Sequence, residues 1–137
     1  MLLESFTQAL IFLLDTVNVG SGLEESPPEE LLPLKPADFH ILLVLMKEDR
    51  HGYGIMQQVE VESDGRVRLE VGSMYRLIAR MTDEGLIAES ERQNSDRRRY
   101  FQITPLGEQV ARLEAQRLAD VVNVARLRDL LGDGEGV

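Results

Sequence analysis

Two groups of arginine residues have the chemistry and the spacing to bind an anionic partner. Arg76 and Arg80 lie four residues apart in a segment with helical periodicity, and the consecutive residues Arg97, Arg98 and Arg99 follow a run of turn-forming residues. A guanidinium group donates paired hydrogen bonds to phosphate oxygens and to the edge of guanine. Each group taken alone could equally be solvated surface, so the elements that carry the arginines must decide between the two roles.

A helix predicted from Ser73 to Glu84 would position the first pair of arginines. Amide groups at the start of this helix, together with Tyr75, are suited to binding a phosphate oxygen. One face of the helix carries an apolar stripe that should pack on a core, made up of Met74, Leu77, Ile78 and Met81. The opposite face carries the polar residues Ser73, Arg76, Arg80 and Asp83.

A hairpin predicted over residues 86–103 would position the arginine triplet. Its middle contains residues that favour turns, among them Asn94. Because alternate residues of a strand point to opposite sides, Arg97 and Arg99 should face one side and Arg98 the other. The two strands are predicted at Leu86–Arg92 and Arg98–Ile103.

Three further elements are predicted before these. A helix begins at Pro36, since proline is favoured at the first helical position, and runs to about Lys47. A shorter helix begins near Gly54. Apolar and polar residues then alternate over Val67–Val71, which is typical of a half-buried strand.

The predicted elements follow the order helix, helix, strand, helix and hairpin, which is the order of a winged helix-turn-helix. In that fold the third helix enters the major groove of DNA, and the hairpin, or wing, contacts the DNA backbone. The predicted fold class is therefore mainly α with a small β wing.

The chain on either side of this unit is predicted to add two helices. Residues 1–17 have apolar side chains at helical spacing, which predicts an extra N-terminal amphipathic helix in a core or an interface. No basic residue precedes Lys35, which argues against a signal peptide and against a membrane-surface helix. Glycine, proline and glutamate dominate residues 18–35, which are predicted to be an unpacked linker. The remaining boundaries are 36–103 for the winged-helix domain, 104–131 for a C-terminal helix and 132–137 for a tail.

The C-terminal helix is predicted to form a homodimer. Thr104 would be its N-cap and Pro105 its first residue, and 28 residues give a rod of about 42 Å. The distal half would expose apolar side chains in a monomer, and a two-fold contact would cover them. The two helices are expected to pack antiparallel or crossed, with a further contact to residues 1–17 considered. The alternative is a helix that folds onto its own domain. The predicted interface comprises Leu113, Leu118, Val121, Val122, Ala125 and Leu127.

The charge of the chain is unevenly distributed. The net charge is −9, yet residues 65–101 hold eight of the 15 basic residues and six of the 24 acidic ones. Salt screens charges beyond about 10 Å, so an acidic body with one basic face can still bind a polyanion. We expect the overall acidity to weaken non-specific DNA binding without preventing specific binding.

Residue types also exclude several kinds of site. There is no cysteine, which excludes disulfides, thiol catalysis and cysteine metal sites, and His40 and His51 are the only histidines. Pairs such as His51 with Asp49 occur without a nucleophile, a phosphate-binding loop or metal-ligand spacing. We therefore predict that the protein is not an enzyme and uses neither a cofactor nor a metal.

Four blocks of sequence share a characteristic order and spacing over about residues 37–115: His51–Ile55, Gly72–Ile78, Met81–Ile87 and Arg97–Gly107. These blocks resemble the PadR-like family of transcriptional regulators. The resemblance implies a dimeric winged-helix repressor that contacts DNA through the helix at Gly72–Glu84 and through the wing. Met74 departs from the family, which often has leucine there, and the segment before Lys35 lies outside the family pattern. The predicted DNA-binding residues are Tyr53, Ser73, Tyr75, Arg76, Arg80, Asn94, Arg97, Arg98 and Arg99.

These observations predict a cytoplasmic, sequence-specific DNA-binding regulator that acts on a pseudo-palindromic operator as a homodimer. Release by a small hydrophobic or aromatic ligand is a further expectation, and no membrane partner is expected. The main alternative is a winged helix used only for protein–protein contact. Such a module has no need of arginines on both the third helix and the wing.

Overall fold

The computed structural model describes residues 27–91 and 97–132, which form four α-helices and a small antiparallel sheet. This agrees with the predicted fold class. A 3-10 turn at Pro28–Leu31 comes first. The elements that follow are α1 (Pro36–Lys47), β1 (Arg50–His51), α2 (Gly52–Glu62), α3 (Val71–Asp83), β2 (Ile87–Glu89), β3 (Tyr100–Ile103) and α4 (Pro105–Leu127).

The core lies where α1, α2 and α3 pack against the sheet and the first turns of α4. Ile41 and Leu42 of α1 are fully buried, as are Ile55 and Val59 of α2. The predicted apolar stripe of α3 enters this core through Met74, Ile78 and Met81, with Leu77 at its edge. Burial of one stripe fixes the rotation of α3 about its axis, so the polar stripe must face outward.

The three strands are ordered β1-β3-β2, and β3 pairs antiparallel with both neighbours. The predicted strand at Val67–Val71 is wrong, because Val71 begins α3 and residues 67–70 are not paired in the sheet. Val67 instead donates its backbone N–H to Ser63 Oγ at 3.0 Å. The alternation in the sequence arises because Val67 and Leu69 pack on the core from an extended connection. The third strand of the sheet is β1.

Residues 28–34 correct the prediction that residues 18–35 cannot pack. Leu31, Leu32 and Leu34 lie against the core, and the backbone N–H of Leu34 donates a hydrogen bond to the buried carboxylate of Glu114. The leucines between the prolines supply the apolar surface that a mobile linker would lack. The predicted N-terminal helix and the linker through Ser26 lie outside the described residues, and the domain boundaries stay predictions.

Helix α4 begins as predicted, with Thr104 Oγ1 accepting a hydrogen bond from Gly107 N at 3.0 Å. Gly107 leaves no room for a side chain, since a Cβ would lie 2.1 Å from the carbonyl oxygen of Leu86. The helix ends at Leu127 rather than Leu131 because Asp129 adopts a φ of 57°. Its 23 residues span about 35 Å.

No helix among residues 27–91 and 97–132 has the length and apolar character needed to cross a lipid bilayer.

Candidate nucleic-acid interface

The outward face of α3 forms a shallow groove. Ser73, Arg76, Leu77 and Arg80 line this groove, so three of the predicted DNA-binding residues lie together. The side chain of Arg76 is exposed, and its Nη2 donates a long hydrogen bond of 3.4 Å to Ser73 Oγ. An exposed guanidinium whose one hydrogen-bond partner in the described part of the chain is weak is available to bind an anion or a base edge.

Arg80 is held by two carboxylates. Its Nη2 donates to Asp38 Oδ1 and Oδ2 at 2.7 and 2.8 Å, and its Nη1 donates to Glu84 Oε1 at 2.7 Å. The Asp38 side chain is 5% exposed. The hydrogen bond to Asp38, and to a lesser extent the one to Glu84, raises the pKa of Arg80 despite the opposing effect of burial. The sequence analysis did not identify this cluster, because Asp38 and Arg80 are 42 positions apart and no local pattern connects them.

The arginines at the base of the wing are also engaged. Arg98 Nη1 lies 2.9 Å from His51 Nε2, and Arg99 Nη2 donates to Glu89 Oε2 at 3.0 Å. The hydrogen bond to Glu89 raises the pKa of Arg99, whose guanidinium carbon lies 5.5 Å from the centre of the Phe101 ring. Arg97 is exposed. The predicted contact residue Asn94 lies outside the described residues.

A pocket of about 310 Å³ lies between the start of α2, α3 and the wing. It brings together four predicted DNA-binding residues, Tyr53, Tyr75, Arg98 and Arg99, with His51, Gly52 and Phe101 completing the lining. Tyr53 and Tyr75 are each 53% exposed. The pocket therefore presents two phenol rings and two cations on one surface, a combination suited to a sugar–phosphate backbone.

His51 and Gly52 build the pocket without having been predicted to belong to it. His51 is the N-cap of α2, and its Nδ1 accepts a hydrogen bond from Gly54 N at 2.9 Å. Gly52 allows α2 to approach α3, since a Cβ there would lie 3.1 Å from Met74 Cε. The local signal for this role in the sequence is a histidine followed by Gly-Tyr-Gly at the start of a helix.

The predicted dimer residues divide into two sets along α4. Leu113 and Ala125 are half-buried, whereas Leu118, Val121, Val122 and Leu127 are exposed. Val124, Leu130 and Leu131 are exposed as well, although the sequence analysis did not include them in the interface.

The described part of the chain contains no group of three or more histidine, aspartate or glutamate side chains that could hold a metal ion.

Comparison with known proteins identifies the family. Residues 41–113, more than half of the chain, match the profile of the transcriptional regulator PadR-like family. The chain belongs to this family. PadR-like proteins are transcription regulators and not enzymes, and we conclude that this PadR-like chain is a DNA-binding transcriptional regulator.

Solved structures share the fold of this PadR-like protein. A PadR family transcription regulator from Clostridium difficile R20291 is 28% identical, with a TM-score of 0.58, and the match covers 68% of this chain and 97% of that one. A PadR-like transcriptional regulator from Bacillus cereus is 26% identical, with a TM-score of 0.59, and the match covers 70% and 92%. No protein with a curated description matches the chain.

Proposed function

We propose that this PadR-like protein is a repressor that binds a pseudo-palindromic operator as a homodimer. In this proposal α3 lies in the major groove, where Arg76 and Ser73 meet base edges and phosphates. Tyr53, Tyr75, Arg98 and Arg99 contact the backbone beside that groove, and Arg97 and Asn94 extend the contact along the wing. The observation that supports this best is that consecutive residues of α3 line the two surfaces, Tyr75 the pocket and Arg76 the groove.

The distal half of α4 supports the proposed dimer. Val121 and Leu127 are 54% and 70% exposed, and a run of such side chains on one helix marks an interaction surface. Pairing with the same helix of a second chain buries the run and closes the assembly by two-fold symmetry. The two copies of α3 would then meet the same side of the duplex about one helical turn apart.

A small hydrophobic or aromatic ligand is proposed as the signal that releases the operator. The exposed apolar residues of α4 supply its binding surface, and a ligand held between paired helices would change the distance between the two copies of α3. Such coupling typically changes affinity by a factor of about 5–150. Thermal-shift screening of aromatic acids and lipophilic cations, followed by operator binding, tests this part, and a screen in which no compound changes operator affinity would contradict it.

Selection of random duplexes by the purified full chain tests the proposed function. A regulator enriches one motif with two related halves, and the motif placed at a promoter lowers expression of a reporter in cells that make the protein. A winged helix used only for protein–protein contact enriches no motif. The variant Arg76→Ala is compared with the wild type and should lose the base preference at one base pair of each half-site. Arg112→Ala is the control because Arg112 is exposed on α4 and lines neither the pocket nor the groove.

A further inference from the structure

We propose that Asp38 and Glu84 withhold Arg80 from the DNA, which leaves Arg76 as the arginine of α3 that determines operator specificity. This inference rests on the proposed function. It replaces the sequence-based prediction that Arg80 is a DNA-binding residue. Two arginines on one face of a recognition helix are therefore not equivalent.

The hydrogen bonds of Arg80 occupy the donors that base reading would need. Nη2 faces both oxygens of Asp38, and Nη1 faces Glu84. A bidentate contact to guanine O6 and N7 requires two free N–H groups on one edge of the guanidinium. Both edges of the guanidinium that offer two N–H groups side by side include Nη2, so a bidentate guanine contact would have to compete with Asp38 for this nitrogen.

Burial of Asp38 makes that exchange unfavourable. The Asp38 side chain is 5% exposed, whereas the Arg80 side chain is 40% exposed. Moving Arg80 toward DNA would leave a buried carboxylate without its cation, which costs more than one base contact usually discriminates. Asp38 thus fixes Arg80 through a contact between α1 and α3 that DNA cannot easily replace.

The local charge also disfavours contact between Arg80 and DNA. Asp38, Arg80 and Glu84 together carry one positive and two negative charges, so this end of the helix repels a phosphate more than it attracts one. Arg76 lies one turn nearer the start of α3, and residues near the start of a recognition helix usually contact the bases. Its guanidinium is exposed, with the 3.4 Å hydrogen bond to Ser73 as its one polar contact among the described residues.

The test compares base preference and stability in variants of the full chain. We expect Arg76→Ala to lower operator affinity by about tenfold or more and to flatten the preference at one base pair of each half-site. Arg80→Ala should lower the melting temperature by about 10 °C or more because it leaves Asp38 unpaired. The double variant Asp38→Asn with Arg80→Gln removes both charges together, so we expect it to fold, with a melting temperature above that of Arg80→Ala, while the guanidinium is absent.

The double variant decides the inference. We expect it to select the same motif as the wild type, with the same preference at every base pair. Loss of preference at a base pair that Arg76→Ala still reads would overturn the inference while leaving the proposed function intact. A wild-type chain that selects no motif would instead overturn the proposed function, and the inference with it. A melting temperature unchanged by Arg80→Ala would contradict the structural part independently of DNA.

Discussion

The backbone N–H of Leu34 donates a hydrogen bond to the carboxylate of Glu114, a residue 80 positions further along the chain. Glu114 is 1% exposed and also accepts a hydrogen bond from Arg117 Nε. Burying polar oxygens without partners is unfavourable, and these two donors supply hydrogen bonds to the buried side chain of Glu114. This contact fastens residues 28–34 to the helix that is proposed to carry the dimer interface.

Glu114→Ala should therefore detach residues 28–34 from α4. We expect a loss of about 1–3 kcal/mol in the free energy of unfolding, since the Leu34 N–H is left without a partner. Limited proteolysis should cut within residues 28–34 faster than in the wild type. Asp120→Ala, at an exposed position of the same helix, is the control and should change stability by no more than about 0.5 kcal/mol. Equal effects of the two substitutions would contradict the anchoring role.

Gly107→Ala should be strongly destabilising. The new Cβ would lie 2.1 Å from the carbonyl oxygen of Leu86 and 2.8 Å from Ile103 Cγ1, so α4 would have to move away from the sheet. We expect a cost of at least about 3 kcal/mol in urea unfolding. At Gly72, where a Cβ meets nothing within 4 Å, the same change should be neutral or stabilise by up to about 1 kcal/mol. Similar costs at both positions would show that the close approach is absent.

Replacing Arg97 and Arg99 by alanine should weaken DNA binding without changing base preference. Each lost phosphate contact lowers the slope of log affinity against log salt by about 1, so the double variant should lower it by up to about 2. Binding titrations at several salt concentrations measure the slope. The Arg112→Ala control should keep the wild-type value. An unchanged slope in the double variant would remove the wing from the interface.

A chain that ends after Arg117 should be monomeric. This end point keeps Glu114 and Arg117, and with them the attachment of residues 28–34, but it removes the exposed apolar residues from Leu118 onward. Sedimentation of the truncated and full chains compares their masses. We expect the full chain to be a dimer and the truncated chain to lose most operator affinity, since its two half-sites are no longer bound together. A truncated chain that is still dimeric would place the interface elsewhere.

The features that sequence periodicity encodes could be predicted, and those created by long-range contacts could not. The stripe from Met74 to Met81 and the Thr104 cap predicted α3 and the start of α4, because both signals are local. The alternation of apolar and polar residues at Val67–Val71 led to the wrong prediction of a strand, because an extended segment that packs on a core has the same pattern as a strand. The hydrogen bond between Arg80 and Asp38 joins residues 42 positions apart, so no local sequence pattern predicts it.

The ratio of operator affinity to non-specific affinity tests the central claim most directly. It should be measured for the full chain with the selected operator and a scrambled duplex of equal length, at physiological salt. A regulator of this design should prefer the operator by a factor of about 10³ or more, with two chains bound per duplex. A ratio near one would contradict sequence-specific reading by α3.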